Sequence, residues 1–207
     1  PAQPEPQHMD LYSKPTPSEE FLTDWLLRCC ELVDRYHPRM VYFDWWIRHE
    51  SVLPYLQRFA AYYYNRAESW GGGVIFYKHE AFAFGWAVPD VERGQFAEAK
   101  PFPWQSDTAV ARNSWGYTEG NVYKEPREVL WDLIDVVSKN GRLLLNVGPK
   151  SDGTIGAEDA RILKAIGAWL RVNGEAIDLI QIWRVAREGP TGVKESQFTD
   201  SVAKSYT

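Results

Sequence analysis

The chain has 207 residues, enough for one large domain or two small ones, and its 44% hydrophobic and 25% charged content excludes wholesale disorder and fibrous repeats. A formal net charge of −5, with 23 Lys and Arg scattered along the chain, offers no basic field for phosphates, so nucleic acid is not an expected partner. No stretch approaches the roughly 18 to 20 apolar residues that span a bilayer, and the first residues carry no basic-then-apolar leader pattern. The compositional outlier is the aromatic content, 14% with ten Trp, whose flat apolar faces and polar tips suit sugar rings and large cores alike.

Residues 1 to 15 are rich in Pro and polar groups and read as an extended arm. Thr16-Pro17-Ser18-Glu19 then supplies a capping hydroxyl, a proline at the first helical position and a Glu three residues after the cap. Behind it Phe21, Leu22, Trp25, Leu26, Cys29, Leu32 and Val33 recur at helical spacing, and Pro38 ends the helix. Cys29 and Cys30 are adjacent within it, a placement that suits neither a disulfide framework nor a metal site. A short strand, Met40 to Asp44, follows. A second helix carries Leu53, Leu56, Phe59, Ala60 and Tyr63, stops at Gly71-Gly72-Gly73, and hands over to the strand Val74 to Tyr77. Residues 78 to about 121 read as loop. A third helix opens near Pro126 and closes at Asn140-Gly141 before the strand Leu143 to Val147. A fourth, with Ile162, Leu163, Ile166, Trp169 and Leu170, ends at Asn173-Gly174, and Ala176 to Ile182 reads as one more strand.

Short apolar runs without alternation, each preceded by an amphipathic helix, predict an α/β fold with buried parallel strands. The choice lies between an open doubly wound sheet and a (β/α)8-type barrel. The nucleotide fingerprint of the former is missing, because the glycines at 71 to 73 precede a strand instead of following one. For a barrel the chain is short, holding about half to five-eighths of the strands of a fold that takes about 250 residues. Residues 183 to 207, polar and with two glycines and a proline, read as a linker.

In such barrels the working residues stand at the carboxyl ends of strands. Asp44 closes the run VYFD, where alternation puts it on one face with Tyr42; it is either a functional carboxylate or a capping residue at a strand-to-loop turn. Glycoside hydrolysis needs two flanking carboxyl groups. The second has candidates in Glu80, Glu92 and Glu98, with Asp90 and Asp107 behind them, each of which on chain properties alone suits a solvated loop better than catalysis; Arg93 beside Glu92 suits a salt bridge or solvation. Lys78 and His79 follow the second strand, where a cation holds a substrate hydroxyl, steadies a carboxylate or simply packs. Trp104 and Trp115 suit sugar stacking or core packing. The four His show no metal spacing, and no G-x-S-x-G elbow occurs, so no metal, cofactor or serine nucleophile is expected.

Taken in order, VYFDWW, YKHEAFAFG, DVERGQ, PWQSDTAVARNSWGY, NGRLLLNVGPKSDGTI and IGAWLRVNGEAI resemble the α-L-fucosidases of glycoside hydrolase family 29, over about Pro17 to Pro190. The resemblance implies a catalytic (β/α)8-like barrel, of which residues 1 to 182 would be the part from roughly the fourth strand to the end, with 183 to 207 leading towards a C-terminal β-sandwich. It implies a retaining mechanism through a covalent fucosyl-enzyme, with fucosylated oligosaccharides or glycoconjugates as substrates. By position, Asp44 would be the nucleophile and Glu92 the acid/base, with Glu80 in reserve. Tyr42, His79 and Trp104 would bind fucose. A retaining pair implies carboxyl groups roughly 5 to 5.5 Å apart. The family's first barrel strands are not matched, so a missing barrel segment is an expected partner, and the chain alone is expected to be inactive. An extracytoplasmic setting is expected on the same ground. Two rivals remain: a non-catalytic fucose-binding barrel protein, and a retaining glycosidase for another sugar.

Overall fold

In the computed structural model, residues 16–45 and 47–178 are described, and the contacts divide the chain into two compact units between Asp90 and Val91. The expected arm, the linker 183 to 207 and most of the proposed last strand lie outside the described residues.

The first unit opens with α1, Glu19–Tyr36. Its cap is not Thr16. The Ser18 hydroxyl accepts the Phe21 N–H at 3.2 Å, so the capping pattern starts two residues later than the Thr16-Pro17 signal suggests. Glu19 and Glu20 then occupy the first turn, at the positive end of the helix dipole. The helix closes where His37 turns left-handed at φ 46° and its N–H reaches the Val33 carbonyl. Leu22, Trp25, Leu26, Cys29 and Val33 face the core, while Phe21 and Leu32, at the margins of the same stripe, are exposed.

Strand β1, Met40–Phe43, leads to α2, Leu53–Ala67, and a single 3-10 turn leads on to β2, Val74–Tyr77. Gly73 is required by packing: a Cβ there would lie 2.3 Å from the Tyr63 hydroxyl oxygen, and that hydroxyl donates to the Pro38 carbonyl at 2.9 Å. Strands β1 and β2 pair in parallel with Phe43 opposite Tyr77, and β2 pairs in parallel with β3, Val88–Glu92, with Tyr77 opposite Pro89. Phe43 points away from Asp44's side of β1 and joins the core against Trp25, Phe59 and Phe82.

In the second unit β4, Trp104–Ala109, pairs in parallel with β5, Gly141–Asn146. Between them runs α3, Pro126–Ser138, opened by a capping box in which the Glu128 carboxylate accepts the Glu125 N–H. Helix α4, Ala157–Asn173, follows β5. Val110, Val129, Ile162 and Ile166 form the core here, flanked by Leu143, Leu145 and Leu170. Two ion pairs are buried beside it. Lys139 Nζ meets both oxygens of Asp135 at 2.8 and 2.7 Å, and Lys124 Nζ lies 2.7 Å from the Thr108 hydroxyl and 3.6 Å from Asp132.

The stretch 78 to 121 is not all loop, since it holds both β3 and β4. Neither is preceded by a helix, and neither carries an apolar run; β4 is buried at all six positions yet contains Gln105, Ser106, Asp107 and Thr108. The strand expected from Ala176 does not begin there. Ala176 ends a 3-10 turn that starts at Gly174, and Ile177 and Asp178 continue as turn.

Candidate active site

Register alone assembles the centre of the first unit. Phe43, Tyr77 and Pro89 lie abreast on β1, β2 and β3, so the residues that follow them, Asp44 and Lys78 just past β1 and β2 and Asp90 within β3, form a transverse row. The side chains confirm the row. Lys78 Nζ is 3.3 Å from Asp44 Oδ1 and 4.0 Å from Asp90 Oδ1. The Lys78 and Asp90 side chains are buried, at 3% and 0% exposure, whereas that of Asp44 is 64% exposed. Burying an ammonium group costs several kcal/mol unless opposite charge surrounds it, and here a carboxylate stands on either side. The result is an anionic oxygen open to solvent on one side and fixed by a buried cation on the other.

Tyr42, two residues before Asp44, faces the same way, and its ring centroid is 5.9 Å from Lys78 Nζ. Beyond Lys78 the backbone turns sharply, with His79 at φ 52° and Glu80 at φ 46°, two successive non-glycine residues in the left-handed region. Each such residue costs on the order of 1 to 3 kcal/mol, a strain that collects where a side chain must be aimed. The turn brings the half-buried His79 ring edge-on against Trp45, with centroids 4.6 Å apart. It leaves Glu80 82% exposed and 3.5 Å from Arg48 Nη1.

Glu92 ends β3 and is buried, two residues beyond Asp90 and therefore on the same side of that strand. Arg93 turns at φ 44° and donates through Nη2 to the carbonyls of Ala111 and Ser114, at 3.0 and 3.3 Å. Its guanidinium stacks 4.3 Å from the centroid of Trp115, and Asn146 Nδ2 holds the Trp115 carbonyl at 2.6 Å. Arg93 thus fastens the loop that follows β4.

One expected ligand is displaced. Trp104 opens β4 at its amino end, is fully buried against Phe96, and donates its indole N–H to the Lys139 carbonyl at 2.9 Å. A ring with no exposed face, at the amino end of its own strand, packs the core and offers no platform for a sugar. Trp115, in the loop after β4, is exposed. Lys78 belongs with the carboxylate, one of the roles its position allows; the participation of Asp90 shows only once the strands are aligned. No cluster of His, Cys, Asp and Glu fit for a metal occurs among the described residues, and no described helix is long and apolar enough to cross a membrane.

A family model described as alpha-L-fucosidase matches residues 2–175. Plasma alpha-L-fucosidase of Pongo abelii is 32% identical over 166 residues, covering 74% of this chain and 34% of that protein. Tissue alpha-L-fucosidase of Mus musculus is 42% identical over 89 residues, 41% of this chain and 20% of that protein. Among solved structures, Thermotoga maritima alpha-fucosidase in complex with fucose superposes with a TM-score of 0.68 at 29% identity, covering 81% of this chain and 37% of that one. The chain therefore spans about a third of the length of the relatives that it matches most fully. Its parallel strands and intervening helices are those of part of a (β/α)8-type barrel, and the chain belongs to the alpha-L-fucosidase family.

Proposed function

We propose that the complete protein carrying this chain is a retaining α-L-fucosidase that releases terminal α-L-fucose from fucosylated glycans, with Asp44 as nucleophile and Glu92 as acid/base. The observation that carries the reading is the row itself: a carboxylate at a strand end, solvent-open yet fixed by a buried ammonium, in a chain of the fucosidase family. Asp44 attacks the anomeric carbon as the glycosidic bond breaks, and Glu92 gives its proton to the departing oxygen. Glu92 then takes a proton from water as that water attacks the same carbon, and Asp44 leaves as carboxylate. Both Glu92 and Asp90 are buried, so two acids on one strand meet very different surroundings from the exposed Asp44, the condition for dividing nucleophile from acid. Tyr42 and His79 line the sugar site, and Glu80, exposed and beside Arg48, stays in reserve as acid.

The rest of the barrel seats against β1. An apolar groove of about 380 Å³ runs between α1 and β1, lined by Cys29, Leu32, Tyr36, Met40 and Val41 among others. A strand edge flanked by exposed apolar side chains invites a further strand, and the relatives' greater length supplies one.

Release of nitrophenol from 4-nitrophenyl α-L-fucoside by the complete polypeptide, with product configuration read by NMR, tests the reading. Asp44→Asn lowers turnover by about 10³-fold or more. Glu92→Gln lowers it far more for alkyl than for nitrophenyl fucosides, because an activated leaving group needs no proton. Inverted product, or turnover unaffected by Asp44→Asn, refutes the mechanism. Fucose binding without turnover in the parent makes the protein a lectin, and turnover of another aryl glycoside in a panel reassigns the sugar.

A further inference from the structure

The reading above leaves unexplained why a lysine is buried between two aspartates at the strand ends. We infer that Lys78 is the positioning residue for the nucleophile: its ammonium group holds the Asp44 carboxylate in the orientation for attack, and Asp90 is the counter-charge that keeps that ammonium in place. The inference rests on Asp44 being the nucleophile.

Three observations carry it. The Nζ of Lys78 lies within hydrogen-bond reach of Asp44 Oδ1, at 3.3 Å, while the Asp44 side chain is otherwise 64% exposed, so without this contact the carboxylate would rotate freely in water. Asp44 and Lys78 each follow directly on a strand, β1 and β2, and Asp90 lies within β3, so the main-chain register of three adjacent strands sets where all three stand. Asp90, whose side chain is fully buried, stands on the far side of the ammonium at 4.0 Å, so the cation is drawn from both directions. The strained turn at His79 and Glu80 begins immediately after Lys78. It turns the chain directly after the residue that must be aimed.

The contact bears on the reaction in both steps. With one oxygen of Asp44 fixed by Lys78, the other is free to form the bond to the anomeric carbon. When that bond breaks in the second step, the charge returning to the carboxylate meets a cation already in place and needs no solvent reorganisation.

The test is the first-order rate of labelling by 2-deoxy-2-fluoro-α-L-fucosyl fluoride, in the complete polypeptide. Asp44 bonds to the anomeric carbon as fluoride ion departs, so the step requires the nucleophile but no proton from Glu92. Peptide mass mapping locates the label. Lys78→Met and the charge-balanced Lys78→Met/Asp90→Asn are compared with Lys78→Arg, which keeps the cation. The expected result is a full-amplitude label on Asp44 formed roughly 10- to 100-fold more slowly in both methionine variants, the loss typical of a charge-assisted hydrogen bond, with Lys78→Arg recovering most of the rate. Because the rate constant does not depend on how much protein is folded, a merely structural role would lower the amplitude and leave the rate of the folded fraction unchanged. Labelling of the double variant within about threefold of the parent rate overturns the proposal. A label mapped to a residue other than Asp44 in the parent overturns it by a distinguishable route, since the nucleophile assignment itself then fails.

Discussion

Replacing Lys139 with Met isolates the energetics of a buried charge pair far from the proposed chemistry. Lys139 is fully buried, and its Nζ reaches both oxygens of Asp135, one helical turn earlier, at 2.8 and 2.7 Å. Methionine keeps most of the apolar stem but leaves the 5% exposed Asp135 side chain without this cation. Breaking a buried pair from one side costs about 3 to 5 kcal/mol, whereas replacing both partners with apolar groups of similar volume is often neutral. Lys139→Met and Asp135→Leu should therefore each destabilise the protein by about 3 to 5 kcal/mol, and Lys139→Met/Asp135→Leu by about 1 kcal/mol or less, so that the double variant is more stable than either single one. The cost would spread to the turn between α3 and β5, because the Lys139 carbonyl accepts both the Trp104 indole N–H and the Lys100 N–H. Urea denaturation of the complete polypeptide, followed by tryptophan fluorescence, measures the midpoints, and Asp135→Leu closes the cycle. A single variant as stable as the double one would refute the reasoning, since it would mean that Asp135 loses nothing when its cation is removed.

Gly141→Ala should cost about 2 to 4 kcal/mol, because a methyl group there would lie 2.6 Å from Val136 Cγ1 and 2.7 Å from Trp104 Cε2, and the crowded core has to shift; thermal melting reads the loss, and a melting point unchanged within error removes the packing argument. Cys29 should react slowly with iodoacetamide. Burial pushes its thiol up to about 11, so near pH 8 the folded protein holds roughly 100-fold less thiolate there than a thiol at the ordinary value of 9.0. The same shift makes folding favour the protonated thiol, so its contribution to stability is present below pH 9 and is lost as the pH rises towards about 11. Labelling of Cys29 in the folded protein as fast as in urea would contradict the burial.

What the sequence reveals and what it hides follow from how each element is stabilised. Strand β2 is legible to the residue because Val74 to Tyr77 is an apolar run bounded by three glycines and a lysine. Strands β3 and β4 are hidden because VPDVE contains a proline and WQSDTA is mostly polar, and because no helix precedes either to mark its start. Burial of polar side chains is decided by partners distant in sequence, such as Lys124 for Thr108, which local periodicity does not register. The same polar content hides the position of Trp104, which stands at the amino end of β4. Thr16 and Ser18 offer two overlapping capping signals, and geometry selected the second. At the site, Asp44 is visible as a carboxylate closing an apolar strand, while the partnership of Lys78 with Asp44 and Asp90 depends on the pairing of three strands and is written in register, not in spacing.

The polar content of β4 has a kinetic consequence. Four of its six residues gain little from leaving water, so beyond Trp104 at its start the strand brings little hydrophobic drive of its own to an early collapsed state. Its order depends on acceptors and donors that must already be standing: the Lys124 ammonium for Thr108, the Gly94 carbonyl for Ser106, the main chain of β5 along its full length. Helix α3 and strand β5, which carry the apolar side chains of that unit, would then form the nucleus, and β4 would be recruited late into a slot shaped by its neighbours. The loop after β4, whose Trp115 stacks on Arg93, would thus be among the last parts of its unit to be fixed, a product of completed folding and not a template for it.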